Sequence, residues 1–158
     1  MSTSPTPTTR TKVLLVDDHD LIRKGLRHAF ERDRQFEVVG EAGTATEGLR
    51  QAGALKPDVV IMDLRLPDGS GLEATRTLRQ SNPSMGIVVL TMYAGDDQLF
   101  GALEAGASAF VPKTAPADEV VAAARHAAAS PNAFTAADLA EAMKRRLSPS
   151  GPQLSPRE

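Results

Sequence analysis

Four places in the 158-residue chain put groups that could do chemistry directly after short apolar runs. Asp17 and Asp18 follow the run 13–16, Asp63 follows 59–62, Thr91 follows 87–90, and Lys113 stands just after 109–111. If these runs are neighbouring parallel strands, the residues meet on one rim, and three carboxylates, one hydroxyl and one ammonium share a pocket. Carboxylates that close repel one another, and the pocket is tolerable only with a cation or with raised pKa values. With oxygen ligands alone and no His or Cys ligand, a hard cation is favoured. Mg²⁺ fits, because it keeps waters while using one or two carboxylates and a phosphoryl oxygen. Such a pocket suits phosphoryl transfer to an aspartate, with metal and lysine neutralising the transferring group. Asp63 is the natural nucleophile: it follows the strand between the acidic pair and the threonine, and the turn 64–69 keeps its surroundings open. Singly, each residue has a plainer role. The Asp pair could cap a helix, Asp63 could form a turn, Thr91 could be an ordinary strand residue and Lys113 a solvated one. Four such explanations would have to fall on four ends of the same rim, which favours the joint reading.

The elements that must position these groups show in the hydrophobic pattern. Short β-branched runs alternate five times with longer segments of helical period, the pattern of βα units around a parallel sheet. The expected fold class is a doubly wound, five-stranded α/β sheet of strand order 2-1-3-4-5, flavodoxin-like, with ligands beyond the carboxyl ends of the strands. The first helix shows Leu21, Ile22, Gly25, Leu26, Ala29 and Phe30 at its period. Thr44 with Glu47 three residues on gives a capping-box signal for the second. Leu72, Thr75 and Leu78 mark the third, and Leu99, Phe100 and Leu103 are expected inward on the fourth. Pro116, Asp118 and Glu119 suit the first turn of an alanine-rich fifth helix. A further amphipathic stretch from Thr135 to Leu147 predicts an extra helix.

Composition bounds the function. Eighteen basic and twenty acidic residues leave a net charge of −2, which does not suit a nucleic-acid or anionic-membrane binder. A length of 158 residues with 41% hydrophobic content supports one self-sufficient core, and zero cysteines exclude disulfides, thiolate metal sites and cysteine nucleophiles. No apolar run reaches 18 residues and the N-terminus lacks an apolar signal core, so a cytoplasmic location with no membrane partner is expected. Four segments are expected: a disordered tail over 1–11, a globular domain over 12–130, a linker helix over 131–147 and a flexible linker over 148–158.

The residues Val13-Leu14-Leu15-Val16-Asp17-Asp18-His19, Pro57 to Gly71 around Asp63, Val88-Val89-Leu90-Thr91 and Phe110-Val111-Pro112-Lys113 together resemble the receiver domain of two-component response regulators. All five signature positions occur in order, over about 12–130. The resemblance implies that Asp63 accepts a phosphoryl group from the phosphohistidine of a sensor histidine kinase. It implies Mg²⁺ held by Asp18, Asp63 and the backbone carbonyl of Arg65, with Asp17 acting through a metal-bound water. Lys113 would pair with the phosphoryl group, Thr91 would hydrogen-bond it, and Phe110 would be the aromatic switch residue that follows Thr91. Arg65 and Tyr93 stand at positions that tune dephosphorylation in the family.

The terminal Leu154-Ser155-Pro156-Arg157-Glu158 is similar to the opening of the LuxR-type helix-turn-helix domain of the NarL/FixJ group. This implies a chain cut before its DNA-binding domain, and a parent protein that is a phosphorylation-controlled transcription factor reaching DNA only through that domain. Relatives dimerise through the first and fifth helices, where Ala122, Ala123, Ala127 and Ala128 would permit close packing of a homodimer. No enzymatic turnover is expected beyond self-phosphorylation from a donor and autodephosphorylation. The alternatives are a receiver that works without phosphorylation as a protein-interaction module, and a Mg²⁺-dependent phosphohydrolase of the haloacid-dehalogenase type. The latter would carry its nucleophile in a D-x-D motif after strand one, where this chain has Asp17-Asp18-His19.

Overall fold

Runs of Val, Leu and Ile on consecutive positions form strands only where both faces of a sheet are covered, and the chain builds such a sheet. In the computed structural model, residues 10–92, 95–137 and 139–147 are described. Tyr93, residues 1–9 of the expected 1–11 tail and the expected segment 148–158 lie outside them. Strands β1 (Thr11–Val16), β2 (Phe36–Ala42) and β3 (Val59–Asp63) alternate with helices α1 (Asp20–Arg32) and α2 (Ala45–Leu55). A small antiparallel hairpin, β4 (Arg65–Leu66) and β5 (Gly69–Ser70), then leads into α3 (Gly71–Ser81). The chain continues through β6 (Gly86–Thr91), α4 (Asp96–Ala105), β7 (Ala109–Pro112), α5 (Ala117–Ala129), β8 (Thr135–Ala136) and α6 (Leu139–Leu147).

The main sheet has the order β2-β1-β3-β6-β7-β8, all parallel. Its first five members are the expected 2-1-3-4-5 arrangement, and β8 adds a sixth. Alternate strand residues feed two cores. Leu14, Val16, Val60, Met62, Ile87 and Val89 point to the side packed by α2, α3, α4 and Ala142 of α6. Val13, Leu15, Val59, Ile61, Val88 and Leu90 point to the side packed by α1 and α5. A strand period of two residues with helices on both faces is what doubly wound sheets require.

Four details depart from the sequence reading. Thr11 already pairs with Phe36, so β1 starts one residue before the expected boundary. Thr135 and Ala136 are strand rather than helix, and α6 begins only at Leu139. The reason is the exposed edge of β7, whose main-chain groups Thr135 and Ala136 pair beside Ala109 and Phe110, with Thr135 N–H donating to Ser108 O at 3.0 Å. Leu21 and Leu103 fit the helical period yet are 83% and 37% exposed. Leu21 sits in the first turn of α1, at the rim of the sheet, where no strand remains beneath it. Of the alanines expected to face a second copy, Ala123 and Ala127 are buried against the sheet and Ala128 is half-buried against the same core, leaving Ala122 exposed.

Thr44 caps α2 as expected, accepting from Glu47 N–H at 3.1 Å, while Glu47 turns to Arg50 and Gln51 instead of closing the box. At the amino end of the sheet, Arg79 gathers loose backbone. Its guanidinium donates to the carbonyls of Gly106 (2.8 Å), Met85 (2.6 Å) and Pro131 (3.2 Å), and to Ser108 Oγ (3.3 Å). That single side chain joins α3, the start of β6, the end of α4 and the turn after α5.

Candidate functional site

Register brings the strand-end residues together. Val16 pairs with Met62 and Asp63 with Leu90, so Asp17, Asp63 and Thr91 leave three adjacent strands at the carboxyl rim. Thr91 pairs with Pro112, and Lys113 N–H donates to Thr91 O at 2.7 Å, carrying the next strand to the same level. Asp17, Asp63 and Thr91 are buried, at 1%, 3% and 2% exposure, whereas Asp18 reaches the surface.

Lys113 crosses this rim with its side chain almost fully covered. Its ammonium donates to Asp63 Oδ2 at 2.7 Å and to Asp17 Oδ1 at 3.2 Å. Asp17 Oδ2, 3.1 Å from the same ammonium, makes no hydrogen bond. Burial pushes the Asp63 carboxyl up to about 6. The hydrogen bond from Lys113 pulls it down, and the charge of Asp17 pushes it up again. One ammonium therefore does not offset the two buried carboxylates, and the rim as it stands favours a further positive charge.

The loop after β3 is held open by its own hydrogen bonds. Arg65 N–H donates to Asp63 Oδ1 at 3.3 Å, and Gly71 N–H donates to Leu64 O at 2.8 Å. Asp68, at the tip of the hairpin, reaches the amino end of α2 and accepts from the N–H groups of Ala45 (2.7 Å) and Thr46 (2.9 Å). On the other side Arg23 fastens β1's end: its guanidinium donates to the Asp17 carbonyl, to Glu41 Oε1 at 3.0 Å and to Asp20 at 2.6 Å. Phe110 lies below the rim rather than in it. It is 4% exposed, in the core beneath α4 with Leu99 and Phe100.

The structure thus places Asp17, Asp18, Asp63 and Lys113 within one cluster, with Thr91 at the adjoining strand end, Arg65 at its lip and Phe110 behind it. It adds one group beside the oxygen donors. His19 Nδ1 lies 3.0 Å from Asp17 Oδ1 and 3.2 Å from Asp18 Oδ1, and atoms of Asp17, Asp18, His19 and Asp63 that could hold a metal all fall within 4.8 Å of one another. The sequence signal for His19 was its place straight after the acidic pair, where a helix has to begin.

The sequence profile described as the response regulator receiver domain matches residues 13–125. The chain belongs to that family. Receiver relatives include the DNA-binding transcriptional activator DevR/DosR of Mycobacterium tuberculosis, 43% identical over 102 residues that are 65% of this chain and 47% of the relative. The transcriptional regulatory protein LiaR of Bacillus subtilis is 40% identical over 116 residues, 73% of this chain and 55% of LiaR. The chain spans about half the length of these curated relatives. Among solved structures, a LuxR-family two-component response regulator from Aurantimonas sp. superposes with a TM-score of 0.80 at 36% identity, over 89% of this chain and all of that one. The receiver domain of the NarL response regulator of Mycobacterium tuberculosis does so with a TM-score of 0.73 at 27% identity, over 77% and 98% of the two chains. As a receiver domain of a two-component response regulator, the chain carries its acidic cluster where such domains take phosphorylation. Among the described residues no helix is long and apolar enough to cross a membrane.

Proposed function

We propose that this receiver accepts a phosphoryl group on Asp63 from the phosphohistidine of a sensor kinase and turns that charge into a conformational signal. The observation that carries the reading is the Lys113 ammonium, which bridges the buried Asp63 and Asp17 carboxylates at the carboxyl rim of the sheet. An Asp63 carboxylate oxygen attacks phosphorus, the new O–P bond forms as the N–P bond of the donor breaks, and the electron pair leaves on the donor's imidazole nitrogen. Lys113 then pairs with a phosphoryl oxygen, and Thr91 hydrogen-bonds another.

The donor set fits Mg²⁺. Three carboxylates converge, Asp17 Oδ2 lacks a hydrogen-bond donor, and the lysine ammonium already stands where positive charge is wanted. Asp18, Asp63 and the Arg65 carbonyl would hold the ion, with Asp17 acting through a bound water. When bound, it supplies neutralisation of the transferring group's charge.

Phosphorylation adds close to two negative charges beside Thr91. Thr91 and Lys113 follow them inward, and the population shifts along β6, α4 and Phe110. The relatives' description as transcriptional regulators supports a parent protein that controls transcription through a DNA-binding domain beyond this chain, under a cognate histidine kinase.

Intact-protein mass spectrometry after exposure to a small phosphodonor with Mg²⁺ tests the acceptor. A gain of one phosphoryl group, labile to hydroxylamine, is expected for the native chain and not for Asp63→Asn. Undiminished labelling of that variant overturns the assignment.

A further inference from the structure

His19 is bound into the rim twice over. Its main-chain N–H donates to Asp17 Oδ1 at 2.8 Å as the N-cap of α1, and its ring Nδ1 stands 2.8 Å from Lys113 Nζ. The same Nδ1 also lies 3.0 Å from Asp17 Oδ1 and 3.2 Å from Asp18 Oδ1, so one ring nitrogen stands among the ammonium and two carboxylates. Around the ammonium stand Asp63 Oδ2 at 2.7 Å, Asp17 Oδ1 and Oδ2 at 3.2 and 3.1 Å, and His19 Nδ1. Three oxygens and a nitrogen thus stand within 3.2 Å of one cation. Asp17 Oδ2, on a side chain 2% exposed, has no hydrogen-bond donor and is aimed into the same space. Its unmet acceptor capacity points to a cation with more coordination to give than an ammonium has.

We propose that His19 Nδ1 is a ligand of the divalent cation held at this rim, and that it shifts the site's selectivity toward transition-metal ions over Mg²⁺. The inference rests on the reading of the rim as a cation site. Mg²⁺ prefers an all-oxygen octahedron and gains little from an imidazole, whereas Co²⁺, Ni²⁺ and Zn²⁺ bind imidazole nitrogen well. The ring is 53% exposed, so it can adjust to an ion without breaking core packing. Its main-chain hydrogen bond holds the residue in place when the ring moves. With no cysteine in the chain, no thiolate competes with imidazole for such an ion.

Co²⁺ is the probe, because its visible absorption reports the ligand field. Untagged full chain, His19→Ala, His19→Gln and Asp18→Asn are titrated with Co²⁺ and, separately, with Mg²⁺ by calorimetry, and Co²⁺ spectra are recorded. Both His19 variants keep the main-chain donor. They are expected to weaken Co²⁺ binding at least about tenfold, to leave Mg²⁺ within about twofold, and to alter the Co²⁺ bands. Equal weakening of both ions, or unchanged Co²⁺ affinity, overturns the proposal. If Asp18→Asn abolishes Mg²⁺ binding while the His19 variants shift nothing, only the His19 assignment falls. If the native chain binds neither ion, the cation-site reading falls and takes the His19 assignment with it.

Discussion

Gly71 lies against the main chain of Asp63 so closely that a Cβ at position 71 would stand 1.9 Å from the Asp63 carbonyl oxygen and 2.8 Å from its carbon. The obstacle is backbone, at the end of a central strand, and cannot swing aside. Gly71→Ala is expected to destabilise the domain by about 2–4 kcal/mol. It should also lower phosphodonor labelling of Asp63, because the clash displaces the acceptor itself. Urea denaturation together with labelling rate checks this. An alanine variant of native stability and native rate would show that the hairpin absorbs the shift.

Arg79 donates to the carbonyls of Gly106, Met85 and Pro131, far from the rim, and its own burial lowers its pKa. Truncating it removes those hydrogen bonds, at about 1–3 kcal/mol for each buried group left unsatisfied. Arg79→Ala is expected to lose about 2–4 kcal/mol in urea denaturation while labelling of Asp63 in the folded fraction persists. Arg79→Lys should recover little of the loss, because one ammonium cannot span carbonyls on three segments.

Asp68 ties the hairpin to α2, and hydrogen bonds from Thr46, first its side chain and then the N–H groups of Thr46 and Ala45, hold its carboxyl down at about 2. A folded pKa below the ordinary value near 3.8 means that this tie is complete above about pH 4 and is lost as pH falls through 2. Melting temperatures of the native chain and Asp68→Asn are therefore expected to differ at neutral pH and to converge towards pH 2. A constant gap across that range would contradict the assignment.

Helix α6 is fastened to α4 by polar contacts. Arg145 donates to both carboxylate oxygens of Asp96 at 2.7 Å, and the Arg146 guanidinium lies 4.3 Å from the centre of the Phe100 ring. Arg145→Ala should raise amide exchange across Leu139–Leu147 several-fold while leaving β3 and β6 protected. Asp96→Asn, which keeps the hydrogen-bond acceptor but not the charge, should give a smaller rise. Because Asp96 opens the helix that follows Thr91, the same measurement on protein carrying beryllofluoride at Asp63 would show whether α6 reports the state of the rim.

Most of this architecture could be read from residue order, for reasons that also explain the omissions. Long-lived signals such as 13–16, 59–62 and 87–90 are unbroken because those strands are covered on both faces, and each ends in the polar residue that leaves the core. Thr91 and Lys113 were legible only jointly, since neither type marks a site by itself. The strand at Thr135 could not be read, because two residues carry no period and their pairing depends on an edge supplied by residues 109–110. The nearness of His19 to the acidic cluster could not be read, because it depends on where α1 turns the ring. Leu21 was misplaced because helical spacing says nothing of where the sheet beneath a helix stops.

The two borders of the sheet have a consequence for how the protein behaves in crowded solution. On one side β2 skips a residue between its partners for Val13 and Leu14, so Val39 bulges out of register, and Glu37 stands exposed nearby. On the other side the last strand is only two residues long. An irregular, charged border and a very short one are poor templates for another chain's backbone. The fold therefore guards against fibril growth at the same two places where an alternating βα chain would otherwise be open to it.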